Sequence, residues 1–387
     1  MTRKPKRKSP APVARAARLT IDLGAIAENW KRLDRKSGKA ETGAAVKADA
    51  YGLGARQVVP ALLKAGCRTF FVATPAEGAE VRKLAPKSDI VVLNGFDPAL
   101  GNLFKSKKLT PVLNSLADMV AWTDGGQPGA GCAIHIDTGM NRLGLSPAEL
   151  KVFLGNLPLV SALKPTIVMT HPACADDPGH PMNARQLAAF EEAASHFPYA
   201  RKSMANSATI LSNRKACFDL TRPGIALYGG AAVSGVKNPM KPVVKLELPI
   251  LQVRHARKGE TVGYGATHRL KRDTLIVTAG AGYADGILRS ASGSGVAMRQ
   301  NTRKTKGVPG ASAMIGKYAL PILGRVSMDS ITLDASGVPA ATLKRASHVE
   351  ILNRHLTIDD LAIAAGTIGY EVLTSLGLRY ERIYLNE

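Results

Sequence analysis

AAVKADAYGLGA (residues 44–55) is a short apolar run that ends in Lys47 and is followed at once by an aspartate, a tyrosine and two glycines. A short apolar run bounded by turn residues predicts a buried β-strand that ends near Lys47. A lysine is rarely buried unless it has a charged partner. The side chain of Lys47 is therefore predicted to be either a partner in a structural ion pair or a reactive amine.

Similar apolar runs recur along the first part of the chain, and they alternate with segments whose apolar residues repeat every three or four positions, as in helices. The runs are FFVA (70–73), IVVL (90–93), PVL (111–113), AIHID (133–137) and TIVMTH (166–171). Strands that alternate with helices in this way predict a parallel sheet. Because the strand count is near eight, we predict an α/β fold with a (β/α)8, TIM-like barrel. An open doubly wound sheet is the alternative, although no G-x-G-x-x-G follows a strand.

The pattern changes after about residue 240, where strands joined by turns predict a second, mainly β domain. A segment rich in Gly, Pro and Lys (233–242) marks the boundary. We therefore expect a basic, disordered tail at residues 1–16, the barrel at residues 17–238 and a C-terminal mainly β domain at residues 239–387. The first strand, ARLTIDLG (17–24), is predicted to pair with either domain.

The composition narrows the class of protein. The 387 residues carry a net charge of +22 and four scattered cysteines. No stretch approaches the ~18 apolar residues of a membrane span, and the basic tail lacks the apolar segment of a secretory signal. The cysteines form no C-x-x-C pair, so we expect no disulfide framework, no metal site and a reduced, cytoplasmic location. The charge allows nonspecific polyanion binding, but no nucleic-acid motif accompanies it, so we predict neither a membrane nor a specific nucleic acid as partner.

The predicted barrel gives Lys47 a chemical context. A barrel of this kind has its active site at the C-terminal ends of the strands, which places Lys47 at the barrel mouth. Buried lysines lower their pKa readily and form Schiff bases. The adjacent YGLG, with Tyr51 and two flexible glycines, is suited to lining a phosphate. A Schiff base beside a phosphate points to pyridoxal phosphate (PLP) as the cofactor.

The ends of other predicted strands bring further polar and glycine residues to the same mouth. They are Arg142, His171, Asn206, Ser207, Arg222, Gly224 and Ile225. Arginine is suited to a carboxylate, and the backbone amides of RPGIALYG (222–229) are suited to a phosphate. Structural alternatives remain: a surface ion pair for Arg142, a hydrogen-bonded core position for His171 and a helix cap at residues 206–207. For the tyrosines of the second domain the alternative is sheet packing.

Taken together, the motifs resemble those of the alanine racemase family over roughly residues 17–386. They occur in the family's order and are VKADAYGLGA, IDTGMNRLGL, MTHPACADD, MANSATIL, RPGIALYG, GYGATH, GAGYADG, GRVSMD and GYEVLTSLGLRYERIY. The resemblance implies a PLP-dependent isomerase that works as a homodimer with shared active sites. It implies interconversion of L-alanine and D-alanine by two-base proton transfer on a PLP aldimine, for peptidoglycan precursor synthesis or for alanine catabolism.

The resemblance also implies a role for each matching residue. Lys47 holds PLP and moves the α-proton on one face of the substrate, and Tyr264 of the partner subunit does so on the other. Arg222, contacted by His171, faces the pyridine nitrogen. The substrate carboxylate is held by Arg142 and by the backbone of Met328 of the partner subunit, with Tyr283 at the entrance. The residues that hold the cofactor, chiefly its phosphate, are Tyr51, Asn206, Ser207, Gly224, Ile225 and Tyr370.

One position departs from the family pattern. Many members carry a CO2-modified lysine two residues before the aspartate of DTGM, where this chain has His135. Strand alternation places Ala133, His135 and Asp137 on one face, so the imidazole is predicted to point inward. A neutral imidazole accepts a hydrogen bond, whereas a charged one repels a guanidinium. We therefore predict that no modified lysine operates here and that His135 partly replaces it as a partner of Arg142.

The motifs can be compared with those expected for three rival functions. A racemase of broader amino-acid specificity needs no other catalytic residue, because an arginine serves any substrate carboxylate. A PLP decarboxylase of similar architecture carries a Gly-rich phosphate loop and a late Cys-x-Ser-Asp stretch, and this chain has RVSMDS and no such loop. A PLP carrier protein resembles the barrel without a β domain, and the second domain with Tyr264 argues against it.

Overall fold

The computed structural model describes residues 16–125, 131–292 and 311–386. The predicted basic tail, residues 1–16, lies outside the described residues except for Ala16. Within the described ranges, no helix combines the length and apolar character needed to cross a membrane.

The first half of the chain is a parallel barrel. The first elements of the described chain are β1 (Arg18–Asp22), which pairs outside the barrel, and α1 (Leu23–Ser37). The barrel strands are β2 (Glu41–Thr42) and β3 (Ala44–Ala45), which form one strand interrupted at Gly43, then β4 (Thr69–Val72), β5 (Asp89–Val92), β6 (Thr110–Leu113), β7 (Cys132–His135), β8 (Pro165–Met169), β9 (Arg201–Ser203) and β10 (Leu220–Thr221). Strands β3 to β9 pair in sequence order, and β10 pairs with β2. The backbone bond from Asp219 N to Lys202 O (3.0 Å) joins the β9 and β10 segments and closes the ring.

Helices cover the outside of this barrel. They are α3 (Ala55–Ala65), α4 (Pro75–Leu84), α5 (Gly101–Lys107), α6 (Leu116–Asp124), α7 (Pro147–Gly155), α8 (Leu157–Ala162), α9 (Met182–Ser195) and α10 (Ser207–Ser212), with short 3₁₀ turns at Pro98–Leu100, Arg214–Cys217 and Ile225–Tyr228. The short segment α2 (Lys47–Tyr51) lies instead at the barrel mouth, and its backbone is left-handed after Lys47. Local sequence explains where they begin. Thr74 and Glu77 form a reciprocal capping box at the start of α4, and Ser146 and Glu149 do so at α7. The predicted barrel is confirmed.

The second half is mainly β. Its strands are β11 (Val244–Ala256), β12 (Thr261–Val262), β13 (His268–Arg269), β14 (Thr274–Ala279), β15 (Ser312–Ile315), β16 (Tyr318–Pro321), β17 (Ile331–Asp334), β18 (His348–Leu352) and β19 (Glu381–Leu385). Its helices are α11 (Ala340–Arg345), α12 (Ile358–Ala365) and α13 (Gly369–Ser375), and 3₁₀ turns lie at Tyr264–Ala266, Tyr283–Asp285 and Arg289–Ala291. The predicted C-terminal β domain is thus also confirmed.

The first strand belongs to this second sheet. β1 lies between β11, to which it is antiparallel, and β19, to which it is parallel. Leu19 and Ile21 alternate with partly exposed residues and are fully buried in the core. The segment predicted as barrel, residues 17–238, therefore contains one strand that pairs with the other domain. The boundary near residues 238 and 239 stays a prediction.

Candidate active site

A left-handed backbone turn follows Lys47. Residues 48–51 all have φ between +52° and +57°, and none of them is a glycine. Each such residue costs roughly 1–2 kcal/mol, so the turn needs external support. Glu77 Oε1 accepts from Ala48 N (2.8 Å), and Asp49 Oδ1 accepts from Ala55 N (2.7 Å). These bonds hold Lys47 at the barrel mouth and turn the Tyr51 ring into the interior, where it is 8% exposed.

The predicted strand-end residues meet in one cavity of about 660 Å³ at this mouth. The predicted residues that line it are Lys47, Tyr51, His135, Arg142, His171, Asn206, Ser207, Arg222, Gly224, Ile225 and Tyr370. Tyr370, on α13, is the one that comes from the second domain. The cavity therefore lies where the two domains meet, at the carboxyl ends of the strands.

Three cations face this cavity, and they influence one another. Burial and the nearby Arg142 guanidinium lower the pKa of the Lys47 amine from its usual 10.5, although Glu77 opposes the shift. Arg142 is exposed at the rim, and it forms no ion pair with any residue that the structure describes. The ion-pair alternative for Arg142 is thus not observed, and its guanidinium is free to meet an anion.

Arg222 is buried among neutral acceptors. Its guanidinium donates to Ser203 Oγ (2.7 Å) and to Thr170 O (2.7 Å). Burial lowers the pKa of Arg222 to about 10, so the group stays charged at neutral pH. His171 Nδ1 lies 3.4 Å from the guanidinium, which can only donate, so Nδ1 accepts and Nε2 carries the hydrogen. Burial and Arg222 keep the pKa of His171 well below its usual 6.5, so the imidazole is neutral.

His135 has the opposite tautomer. The Asn114 amide nitrogen donates to Leu93 O (3.0 Å) and Val112 O (3.2 Å), which leaves Asn114 Oδ1 to accept from His135 Nδ1 (2.8 Å). Burial, aided by Arg222, lowers the pKa of His135 to about 4. The His135 side chain lines the cavity. In the neutral ring, Nε2 is the acceptor, and it is not used by Asn114. That is the form needed to accept from Arg142.

Neutral donors line the side of the cavity near β10. Ser207 Oγ accepts from Gly224 N (2.8 Å) and Ala226 N (3.3 Å), so its own hydrogen is free to donate elsewhere. Burial raises the pKa of Tyr51 and raises that of Tyr370 to about 12, so both phenols keep their protons. A Cβ on Gly224 would lie 2.3 Å from Tyr51 Oη, so a larger residue here would have to displace the tyrosine hydroxyl. Hydroxyl donors beside three cations fit a phosphate group.

Asn206 occupies the helix-cap position predicted for it, while its contact with the cofactor stays a prediction. It caps α10 by accepting from Thr209 N (3.0 Å), and it also lines the cavity. Two other residues of the site were not predicted. Asn114 directly follows the apolar run PVL (111–113), just as His171 stands at the end of the run TIVMTH (166–171). Its position at the end of a predicted strand could therefore have identified it as a site residue. Glu77 is the last residue of the T-x-x-E capping signature at residues 74–77, but its bond to Ala48 has no signal in the sequence.

Three predicted residues do not line this cavity. Tyr264, Tyr283 and Met328 lie on the C-terminal domain, with exposed fractions of 70%, 43% and 52%. Their segments are adjacent: a Cβ on Gly263 would lie 3.4 Å from Arg325 N, and Ala284 N donates to Met328 O (3.1 Å). Within one copy of the chain these side chains are therefore exposed and do not line the cavity. Within the described residues, no group of three or more His, Cys, Asp or Glu is arranged to hold a metal ion.

Comparisons with known proteins agree with this architecture. The family model described as "Alanine racemase, N-terminal domain" matches residues 21–232, and "Alanine racemase, C-terminal domain" matches residues 243–384. The alanine racemase of Rhizobium meliloti is 45% identical over 97% of this chain and 99% of its own length. The biosynthetic alanine racemase of Agrobacterium fabrum is 45% identical over 95% of this chain and 93% of its own.

A solved structure has the same fold. The crystal structure of alanine racemase from Bartonella henselae with covalently bound pyridoxal phosphate superposes with a TM-score of 0.85, at 35% identity, over 96% of this chain and 99% of that one. A barrel that carries a lysine and a phosphate-binding cradle at its mouth is characteristic of one class of PLP-dependent enzymes. The chain belongs to the alanine racemase family. The predicted family, isomerase class and PLP dependence are thereby confirmed.

Proposed function

We propose that this chain interconverts L-alanine and D-alanine, with Lys47 and Tyr264 moving the α-proton on opposite faces of the substrate. The observation that carries the proposal is the place of Lys47 at the barrel mouth, where burial and Arg142 favour its neutral amine. A neutral amine accepts a proton, and an ammonium does not. A racemase needs two such groups, because one removes the proton and the other returns it.

The residues of the cavity fit PLP. Tyr51, Ser207 and Tyr370 would offer hydroxyl donors to the phosphate, together with the backbone N–H of Ile225, and Asn206 lies beside them. The N–H of Gly224 donates to Ser207 Oγ (2.8 Å) and so orients that hydroxyl. Arg222 lines the cavity and would donate to the pyridine nitrogen of bound PLP. Because a guanidinium does not give up a proton, that nitrogen would stay unprotonated. When bound, PLP supplies a conjugated ring that draws electron density from the α-carbon of the substrate. The unprotonated nitrogen weakens that effect and limits side reactions.

The second catalytic group comes from a second copy of the chain. Tyr264 is exposed and does not line the cavity of its own chain, so a twofold dimer that exchanges this residue would complete both sites at once. A free tyrosine with a pKa near 10 is a poor base at pH 7, so it needs a positive group beside it, such as those in the cavity. Homodimerisation is therefore part of the proposal.

The same exchange provides the substrate contacts. Arg142 binds the substrate carboxylate, assisted by the backbone of Met328 from the second copy, while Tyr283 of that copy lies at the entrance. Support comes from the exposed guanidinium of Arg142, which forms no ion pair with a residue in the described ranges, and from the adjacency of the Met328 and Tyr283 segments. The Asn114 contact takes up His135 Nδ1 and leaves Nε2 as an acceptor. We propose that Nε2 accepts from Arg142 when substrate binds and so orients the guanidinium for the carboxylate; this contact is not formed in the structure of the single chain.

The first test is chiral chromatography after incubation of the PLP-loaded protein with single L-amino acids. D-alanine as the dominant product supports the proposal. Several D-amino acids at comparable rates would support the broader racemase instead. No D-amino acid from a protein whose Lys47 carries PLP would overturn the racemase proposal.

Replacement of Gly224 by alanine tests the phosphate cradle. The added Cβ would lie 2.3 Å from Tyr51 Oη and displace that hydroxyl. We expect the PLP dissociation constant, measured by fluorescence titration, to rise about 30-fold, the equivalent of ~2 kcal/mol. Gly155→Ala is the matched control, because nothing lies within 4 Å of its Cβ position. Equal PLP affinity in both variants would contradict the assigned phosphate side.

Asn114→Asp tests the role of His135. A carboxylate at this position accepts the same Nδ1–H bond but favours the charged ring, so the pKa of His135 rises from about 4 toward neutrality. Below the raised pKa the imidazolium repels Arg142, and we expect KM for alanine to be about tenfold higher at pH 6 than at pH 8. The wild-type protein should change little over this range.

The control for this variant is Asn94→Asp. Asn94 also lines the cavity and follows β5, so the variant adds the same charge without the contact to His135. A similar pH dependence of KM in both aspartate variants would show that the added charge, and not the imidazole, causes the effect.

The cellular setting is a further part of the proposal. All four cysteines are free thiols, as in a reducing compartment, and we place the enzyme in the cytoplasm. There it would supply D-alanine for peptidoglycan precursors or, in the opposite direction, serve alanine catabolism. Loss of growth without added D-alanine, after deletion of the coding sequence, would support the first role.

A further inference from the structure

An ion-pair clamp in the C-terminal domain joins three chain segments around Arg379. The guanidinium binds Asp285 with two parallel bonds, Nε to Oδ1 (2.6 Å) and Nη2 to Oδ2 (2.8 Å). Its remaining nitrogen, Nη1, lies 2.8 Å from Asp329 Oδ1. Asp285 is 5% exposed, and its carboxylate also accepts from Gly282 N (3.0 Å). A guanidinium that holds two carboxylates at once fixes their separation.

The two aspartates belong to the segments that carry Tyr283 and Met328. Asp285 ends the 3₁₀ turn that begins at Tyr283, and Asp329 follows Met328 directly. The segments are also packed without space: a Cβ on Gly282 would lie 2.1 Å from Ser327 O. Tyr283 N donates to Ser327 O (3.0 Å). Arg379 thus ties together the two loops whose tips are exposed.

We infer that Arg379 is a positioning residue for the substrate entrance of the other subunit in the dimer. The inference rests on the proposed function, in which Tyr283 and Met328 serve the second copy's cavity. The backbone bonds from Tyr283 N to Ser327 O and from Ala284 N to Met328 O join the two loops at their tips, and the clamp adds a side-chain link between Asp285 and Asp329 beside them. Together they fix the distance between the entrance tyrosine and the backbone that meets the substrate carboxylate. Arg379 touches neither the cavity nor the reacting atoms.

Two variants open the clamp at different points. Asp329→Ala releases only the Met328 loop, and because its side chain is 63% exposed the fold is retained. Arg379→Gln releases both loops but leaves the buried Asp285 without its partner. Arg272→Gln is the matched control, since it removes an ion pair of 2.8 Å to Asp334 at the opposite end of the β14–β17 strand pair from these loops.

We expect Asp329→Ala and Arg379→Gln to raise KM for alanine about tenfold, with kcat changed less than about threefold and PLP affinity unchanged. Arg272→Gln should leave all three parameters as in the wild type. An unchanged KM in Asp329→Ala and Arg379→Gln would overturn the inference, and so would an equal rise in Arg272→Gln.

Hybrid dimers separate the clamp from the shared site. When one subunit carries Lys47→Ala, only the other subunit's cavity is competent, and its entrance loops come from the Lys47→Ala subunit. Adding Asp329→Ala to the Lys47→Ala subunit should raise KM, and adding it to the competent subunit should not. A rise only in the second arrangement would show that the loops serve their own cavity and would overturn both the inference and the shared site. No rise in either arrangement would overturn the clamp alone.

Discussion

Replacing Lys47 by alanine is expected to reduce racemisation at least ~1,000-fold in both directions, which is the scale of loss when a residue that both anchors the cofactor and transfers a proton is removed. The structure supports the size of the effect. Lys47 is the cavity amine whose pKa is lowered, and the left-handed turn after it is held by Glu77 and Asp49. No other lysine lines the cavity within the described residues.

Chiral chromatography measures the rate, and mass spectrometry after borohydride reduction tests whether PLP is attached to the peptide that contains Lys47. Lys64→Ala is the control, because Lys64 is an exposed lysine on α3 close in sequence. Sedimentation should give the same assembly state for both variants. More than a tenth of the wild-type rate in Lys47→Ala, or a PLP adduct on another lysine, would contradict the assignment.

Tyr264→Phe is expected to reduce racemisation by a similar ~1,000-fold, because the ring is retained and only the hydroxyl that transfers the proton is lost. The variant should fold normally, since the side chain is 70% exposed in the single chain. Lys47 remains, so exchange of the α-proton with solvent deuterium should continue for one enantiomer and stop for the other. Such one-sided exchange is characteristic of a two-base mechanism with one base removed.

Mixing the two inactive variants tests whether the site is shared. A hybrid of Lys47→Ala and Tyr264→Phe subunits contains one site with both groups intact, so random reassortment should restore about a quarter of the wild-type activity. Tyr283→Phe is a comparison at the entrance, where a smaller loss is expected. No recovery on mixing, together with monomers in sedimentation, would contradict a site completed by a second copy.

Much of the candidate site was predictable because parallel strands end on one side of a barrel. The residues that follow successive apolar runs therefore meet, although they are distant in sequence, and Lys47, His171 and Arg222 line one cavity as expected. The partner of the first strand was not predictable. The alternating pattern of residues 18–22 defines a strand with one buried face but contains no information about its neighbours, which are β11 and β19.

The roles of Tyr264, Tyr283 and Met328 came from the family resemblance and not from strand spacing. In one copy these side chains are exposed, so the structure neither places them in a cavity nor assigns them to one. Asn114 and Arg379 were missed for a related reason. Each acts through a contact with a residue distant in sequence, His135 in one case and Asp285 in the other.

The sequence by itself determined the barrel, the mainly β domain, the family and the chemical groups available at the barrel mouth, because these follow from local periodicity and short motifs. Only the tertiary structure decided the protonation states of those groups. The neutral His135 and His171, their opposite tautomers, the charged Arg222 and the lowered pKa of Lys47 depend on burial and on charges brought near through space. Both are set by packing between elements that are far apart in the chain.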